Sequence, residues 1–178
     1  MKGSSRGFSL IELLIVVAII LIIAAIAIPD LLKSRQAANQ ASAVGSLRTI
    51  NTSEVAYSTT YTLGFSADLL GLDGAAGTNS TNVSAGLIDS ILGGGIKSNY
   101  NFVYVASGVP NTFTPAACVA APTVVVATVA PVNTVATYVI NANPLGCSSG
   151  NYYYTDMSGV IRMNNTAVAN AADTPLAG

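Results

Sequence analysis

Leu13 to Ile28 is an unbroken run of sixteen apolar side chains, and a single acid, Glu12, stands at its head. Counted from Phe8 to Ile28 the segment has 21 residues. As a helix it would be about 31 Å long at ~1.5 Å per residue, close to the hydrocarbon thickness of a bilayer. A helix that is apolar on every side cannot rest its whole surface on one small domain. It has to lie in lipid or among other helices. The residues before it carry Lys2 and Arg6 and no acid. By the positive-inside rule this end stays in the cytoplasm and the bulk of the chain crosses the membrane.

Three readings compete for the run. An ordinary secretory signal peptide would end at the small-x-small site Ala25-Ile26-Ala27 and release a secreted domain after Ala27. An uncleaved single-pass anchor is the second. Neither has a use for Glu12, since a carboxylate within an apolar span costs roughly 2.5–3.5 kcal/mol on insertion scales and by default signals a partner. The third reading supplies one: a free α-amine, made by cutting the chain just before Phe8. Ammonium and carboxylate are both poor guests in hydrocarbon, and pairing satisfies both. Within one chain the two groups would lie four positions apart near a helix start, where the dipole also favours the carboxylate. Spacing leaves intrachain and interchain pairing equally open.

Gly7-Phe8-Ser9-Leu10-Ile11-Glu12, followed by the apolar run from Leu13, resembles the N-terminus of type IV pilins and of type II secretion pseudopilins. The likeness covers about 50 residues closely. It implies that a prepilin peptidase removes residues 1–7 by cutting after Gly7 and methylates the new N-terminal Phe8. It further implies that Glu12 neutralises the terminal amine of a neighbouring subunit during assembly. Pro29 falls where many pilins carry a helix-perturbing proline.

Beyond the run, Pro29 removes one helical hydrogen bond and predicts a kink; the plainer alternative is a helix stop, since Pro-Asp also starts helices well. Ala37, Ala41, Val44, Leu47 and Ile50 then recur at spacings of four and three, with Lys33, Arg35, Gln36, Gln40 and Arg48 between them. This predicts an amphipathic continuation over 29–57 that needs a partner on one face. Composition shifts near residue 58. Gly, Ser, Thr and Asn dominate 71–86, a loop, and Leu87 to Leu92 reads as one helical turn closed by Gly93-Gly94-Gly95. Asn99–Ser107, Thr123–Val129, Thr134–Ala142 and Asn151–Thr155 are strand-like. Asp156-Met157-Ser158-Gly159 is a turn signal, and Val160–Met163 pairs back as a hairpin. The tyrosines read as sheet packing. About four antiparallel strands on the amphipathic helix are expected, with residues 164–178 fraying.

The chemistry that the composition excludes is as informative. There is no histidine, which removes His-based triads and metal sites. No base accompanies the many Ser and Thr residues, and no Gly-rich phosphate loop sits between strand and helix. Neither a cofactor nor enzymatic activity is expected. Asp68, Asp73 and Asp89 lie near one another in sequence but lack EF-hand spacing, so calcium is disfavoured and no metal is expected. Asp156 reads as a turn cap. Seven basic and eight acidic residues give a net charge of -1. Loss of residues 1–7 would take Lys2 and Arg6 and leave five basic side chains. A mildly acidic mature chain does not grip DNA by charge alone, and nucleic acid stays an open question as a partner. Cys118 and Cys147 are the two cysteines; in an exported chain they would pair as a disulfide closing a loop of about 30 residues.

The expected protein is therefore α+β and pilin-like. Residues 1–7 are the leader, 8–28 the membrane or filament-core helix, 29–57 its amphipathic continuation, and 58–178 a small antiparallel β head with a disulfide-bounded loop. The resemblance implies a major pilin, a homopolymer built with a prepilin peptidase and an assembly platform. Such a subunit waits in the inner membrane and is later extracellular. A pseudopilin or minor pilin of a secretion or DNA-uptake machine, in a periplasmic pseudopilus, is the alternative within the family. The secreted domain released after Ala27 is the alternative of another class.

Overall fold

The computed structural model describes residues 7, 9–74, 81–106, 135–146 and 150–176. The fold is α+β. The first helix, α1 (Leu10–Tyr61), is followed by two single-turn helices, α2 (Leu69–Leu72) and α3 (Ser90–Gly93). Six strands come next: β1 (Ile96–Lys97), β2 (Tyr100–Ala106), β3 (Tyr138–Pro144), β4 (Tyr152–Asp156), β5 (Arg162–Asn164) and β6 (Thr174–Pro175). Two compact units divide the chain, residues 1–38 and residues 39–178.

In the first unit α1 is bare. Its most apolar 18-residue window has no buried residue, and Leu13, Ile15, Ile20 and Ile22 are all at least half exposed. Fully burying such a side chain is worth about 1.5–3 kcal/mol, so the run as a whole represents tens of kcal/mol awaiting an apolar surrounding. Pro29 lies inside α1, with helix on both sides of it.

In the second unit the rest of α1 packs on an antiparallel sheet whose strands lie in sequence order, β1 to β6. Alternation decides the faces. Tyr100, Phe102, Tyr104 and Ala106 of β2 and Tyr138, Ile140 and Ala142 of β3 join Leu47, Ile50 and Tyr57 of α1 in one core. The turn between β1 and β2 is Ser98-Asn99, flanked by the Lys97–Tyr100 pair. Both turn residues have positive φ, 50° and 62°, as a tight type I′ hairpin requires. Both sheet edges are short, and Lys97 and Pro175 lie on them, which discourages further strand pairing.

Several expectations change. The helix ends at Tyr61 rather than Tyr57. Ser58, Thr59 and Thr60 lie in its last turn, their hydroxyls donating to carbonyls three or four residues back. Its buried stripe is Ala43, Ser46, Leu47, Ile50, Ser53, Glu54 and Tyr57, while Ala37 and Ala41 are exposed. The stripe is more polar than an apolar count reveals, because small and hydrogen-bonded residues let the helix approach the sheet. Ser53 donates to the Leu87 carbonyl at 3.1 Å and Tyr57 to that of Asn82 at 2.6 Å.

The sheet has six strands instead of about four. The extra pair, β1 and β6, are two residues each and too short to show a period. Residues 164–176 do not fray. Ala169 is buried and its carbonyl accepts from the Asn141 side chain at 2.8 Å, while Arg162 Nη1 donates to the Asp173 carbonyl at 3.0 Å. The expected strand Thr123–Val129 lies outside the described residues.

Candidate functional site

At the N-terminus the local sequence builds a helix start. The Ser9 carbonyl accepts the first helical bond, from the Leu13 N–H at 3.3 Å, so Ser9 is the cap residue. Three positions on, Glu12 Oε2 accepts from the Ser9 N–H at 3.0 Å. This is the carboxylate half of a capping box, and the Ser-x-x-Glu spacing is its sequence signature. The geometry thus gives Glu12 an intrachain use in addition to any amine partner. Gly7 is exposed, and a Cβ built there meets nothing within 4 Å. Phe8, the expected methylation site, lies outside the described residues, as do Cys118 and Cys147.

From Leu10 the helix offers one continuous apolar stripe. Leu10, Leu13, Leu14, Val17, Ala18 and Leu21 line a shallow groove along a single face, at the three- and four-residue spacing of stacked helical neighbours. Ala18 is its smallest member. A groove of this kind, with no polar group along it, suits a packed helix or lipid chains and no polar ligand.

Of the acids grouped by sequence, Asp68 and Asp89 cap helices. Asp68 caps α2 by accepting from the Gly71 N–H at 2.7 Å. Asp89 caps α3 by accepting from the Leu92 N–H at 2.9 Å and also pairs with Lys97 at 2.8 Å. The Lys97 hydrogen bond, with help from the cap, holds the Asp89 carboxyl below its usual range. Among the described residues no three His, Cys, Asp or Glu side chains gather as a metal site. Asp156 accepts from the Ser158 N–H at 2.9 Å and so caps the β4–β5 turn. Tyr100, Tyr104, Tyr138 and Tyr153 pack in the core, in the structural role expected of them.

One buried acid escaped the sequence reading. Glu54 is fully buried on the sheet-facing side of α1. Its Oε2 accepts from the Ser66 N–H at 2.9 Å, and its Oε1 lies 2.5 Å from Ser66 Oγ and 2.7 Å from the Tyr104 hydroxyl. Burial raises its pKa above the ordinary 4.5, against the opposing pull of the Ser66 and Tyr104 hydrogen bonds. An acid at a helical core position, in line with Leu47 and Ile50, was the available signal.

Known proteins are similar to this chain at its N-terminus. A protein-family model described as the prokaryotic N-terminal methylation motif matches residues 2–28. The "Type IV wide pilus major component PilA4" of Thermus thermophilus is 61% identical over 36 residues. That alignment covers 20% of this chain and 28% of the relative. No solved structure matches the chain. Through residues 2–28 the chain carries the prokaryotic N-terminal methylation motif, and over 36 residues it is similar to a type IV pilus component.

Proposed function

We propose that this chain is the major structural subunit of a type IV pilus. A prepilin peptidase cuts after Gly7 and methylates Phe8. The subunit then waits in the inner membrane, held by the apolar part of α1, with its β head outside. An assembly platform moves it into a homopolymeric filament, where lipid around the helix is exchanged for the helices of other copies. Pro29 perturbs the helix where the apolar run ends. The role is structural rather than catalytic.

The observation that carries this reading is the bare apolar face of α1 beginning directly behind Glu12. An anchor needs the apolar length alone. A subunit that exchanges lipid for its own copies needs in addition a carboxylate at the membrane edge that can find a terminal amine. The name of the Thermus thermophilus relative, a major pilus component, favours the major-pilin role over a pseudopilin or minor pilin. Shearing filaments from cells and identifying their main protein by mass spectrometry tests the role, and N-terminal sequencing tests the maturation. A dominant chain starting at N-methyl-Phe8 agrees with the proposal. A mature start at Ile28 rejects it in favour of a secreted domain.

A further inference from the structure

The oxygens around Glu54 outnumber the protons available to join them. Five contacts meet there: Glu54 Oε1 to Ser66 Oγ at 2.5 Å, Glu54 Oε1 to the Tyr104 hydroxyl at 2.7 Å, that hydroxyl to the Ser66 carbonyl at 2.9 Å, Ser66 Oγ to the Asp68 carbonyl at 3.0 Å, and Ser66 Oγ to the Tyr104 hydroxyl at 3.3 Å. Carbonyl and ionised carboxylate oxygens only accept, so every donor must come from the two hydroxyls. With Glu54 ionised, two protons serve five contacts and three pairs of oxygens face each other without a proton between them. A proton on Oε1 changes this. Glu54 then donates to Ser66 Oγ, Ser66 Oγ donates on to the Asp68 carbonyl, and Tyr104 donates to the Ser66 carbonyl, so the pairs left without a proton fall from three to two, both at the Tyr104 hydroxyl.

Among the described residues no cation offsets a charge at this place. The ion pairs among the described residues are Lys33 with Asp30 and Lys97 with Asp89, and neither involves Glu54. The groups facing Glu54 are Tyr57 on its own helix, Ser66 and Asp68 on the segment after α1, Tyr104 on β2 and Tyr138 on β3. The Asp68 carboxylate is occupied by the α2 cap. Tyr104 and Tyr138 stack at 5.8 Å, and burial pushes both hydroxyls upward, so they remain neutral donors. An ionised buried carboxylate in such company would be strongly unfavourable.

We propose that Glu54 is held in the folded head as a neutral carboxylic acid, and that losing its proton unlatches residues 62–68 from α1. Ser66 is the catch of this latch: its N–H and its hydroxyl both close on Glu54, while the segment's start stays bonded to the helix end, where the Thr62 N–H donates to the Ser58 carbonyl at 3.2 Å. The segment is also fastened on the sheet side, where the Phe65 N–H donates to the Val135 carbonyl at 2.9 Å and the Tyr104 hydroxyl lies 2.9 Å from the Ser66 carbonyl. Unlatching therefore frees Ser66 from the helix while the Phe65 tie holds the segment to Val135.

The linkage has a definite sign. The folded-state value lies above the unfolded one, so the folded head binds the proton more tightly. The stabilisation is fully present below about pH 4.5 and declines as pH rises towards the folded-state value, beyond which it stays lost.

Glu12 and Glu54 are the two glutamates of the chain. Full-length protein in detergent, labelled with carbon-13 at the glutamate carboxyl, therefore gives two carboxyl resonances, and Glu12→Gln assigns them. The expected result is a Glu54 signal whose midpoint lies above 4.5, together with exchange of the Ser66 amide that speeds up across the same pH interval after correction for hydroxide catalysis. Glu54→Gln keeps the shape and neutrality of the acid, so its thermal midpoint should stay flat where the wild-type midpoint falls. A Glu54 signal that titrates at or below 4.5, or midpoints of the two proteins that run parallel across pH, overturns the proposal. Should Glu54→Gln fail to fold, the wild-type titration decides alone.

Discussion

Glu12 accepts a hydrogen bond from the backbone N–H of Ser9, 3.0 Å away, at the first turn of α1. The carboxylate that the proposed function gives to assembly thus also caps the helix of a single subunit. The two uses compete only if one oxygen must serve both. Oε2 takes the Ser9 N–H, so the capping bond leaves the second oxygen free for an amine.

Capping and charge can be separated by substitution. Glu12→Gln keeps an acceptor for the Ser9 N–H but removes the negative charge, whereas Glu12→Ala removes both. Both variants should lose their leader normally and yield at least tenfold fewer sheared filaments, a loss of about 1.4 kcal/mol or more per subunit contact. Filament yield and intact mass measure the two effects. Normal yield from Glu12→Gln would leave capping as the whole role of the residue.

Gly7 has open space around its α-carbon and makes no packing contact that a side chain would disturb. Gly7→Val should therefore leave the head folded while blocking removal of residues 1–7. Intact mass spectrometry of membranes is expected to show the uncut chain. Efficient cutting in this variant would place the leader boundary elsewhere.

Two glycines predict opposite responses to alanine. Gly64 has φ of 84°, and a Cβ there would collide with the Val135 carbonyl oxygen, so Gly64→Ala should destabilise the head by more than about 1 kcal/mol. Gly45 lies within α1 with nothing within 4 Å of the place a methyl group would take, and Gly45→Ala should stabilise by roughly 0.5–1 kcal/mol. Denaturant titration followed by tyrosine fluorescence measures both. Equal shifts in the same direction would contradict these backbone assignments.

Ile50 is fully buried where α1 meets the sheet. Truncation to alanine removes its apolar contacts and leaves a cavity, at a cost of about 2–5 kcal/mol. The same titration should show a lower midpoint with an unchanged slope. A loss well under 1 kcal/mol would mean that the helix is not seated on the sheet at this position.

Cys118 and Cys147 are proposed to be joined. The bridge closes about 30 residues and should contribute roughly 3–4 kcal/mol in the chain-entropy account. Alkylation of purified filaments before and after reduction is the check. Two reactive thiols without reductant would refute the bridge.

Much of the N-terminal helix was legible because its signals are local. Sixteen apolar residues behind one acid need no tertiary contact to declare a helix that must leave water. The capping spacing of Ser9 and Glu12 is equally local, although an ionic partner for the acid is the more conspicuous question. In the head, strands β2 and β3 were visible through their Tyr, Val, Phe and Ile residues and β4 through its run of three tyrosines. Strands β1 and β6 were not, since two residues cannot express a period of two, and neither exists without a neighbour to pair with.

Sequence alone determined that the chain begins with an apolar helix headed by one acid, and that its remainder is a small β-rich head. It also showed a chain without histidine. Tertiary structure decided which face of α1 is buried and that Glu54 belongs to it. Helical periodicity ranks residues by their own polarity, and by that rule an acid faces solvent. Ser66 and Tyr104, 12 and 50 residues away along the chain, turn Glu54 inward by closing over its carboxyl with hydrogen bonds that no local pattern contains.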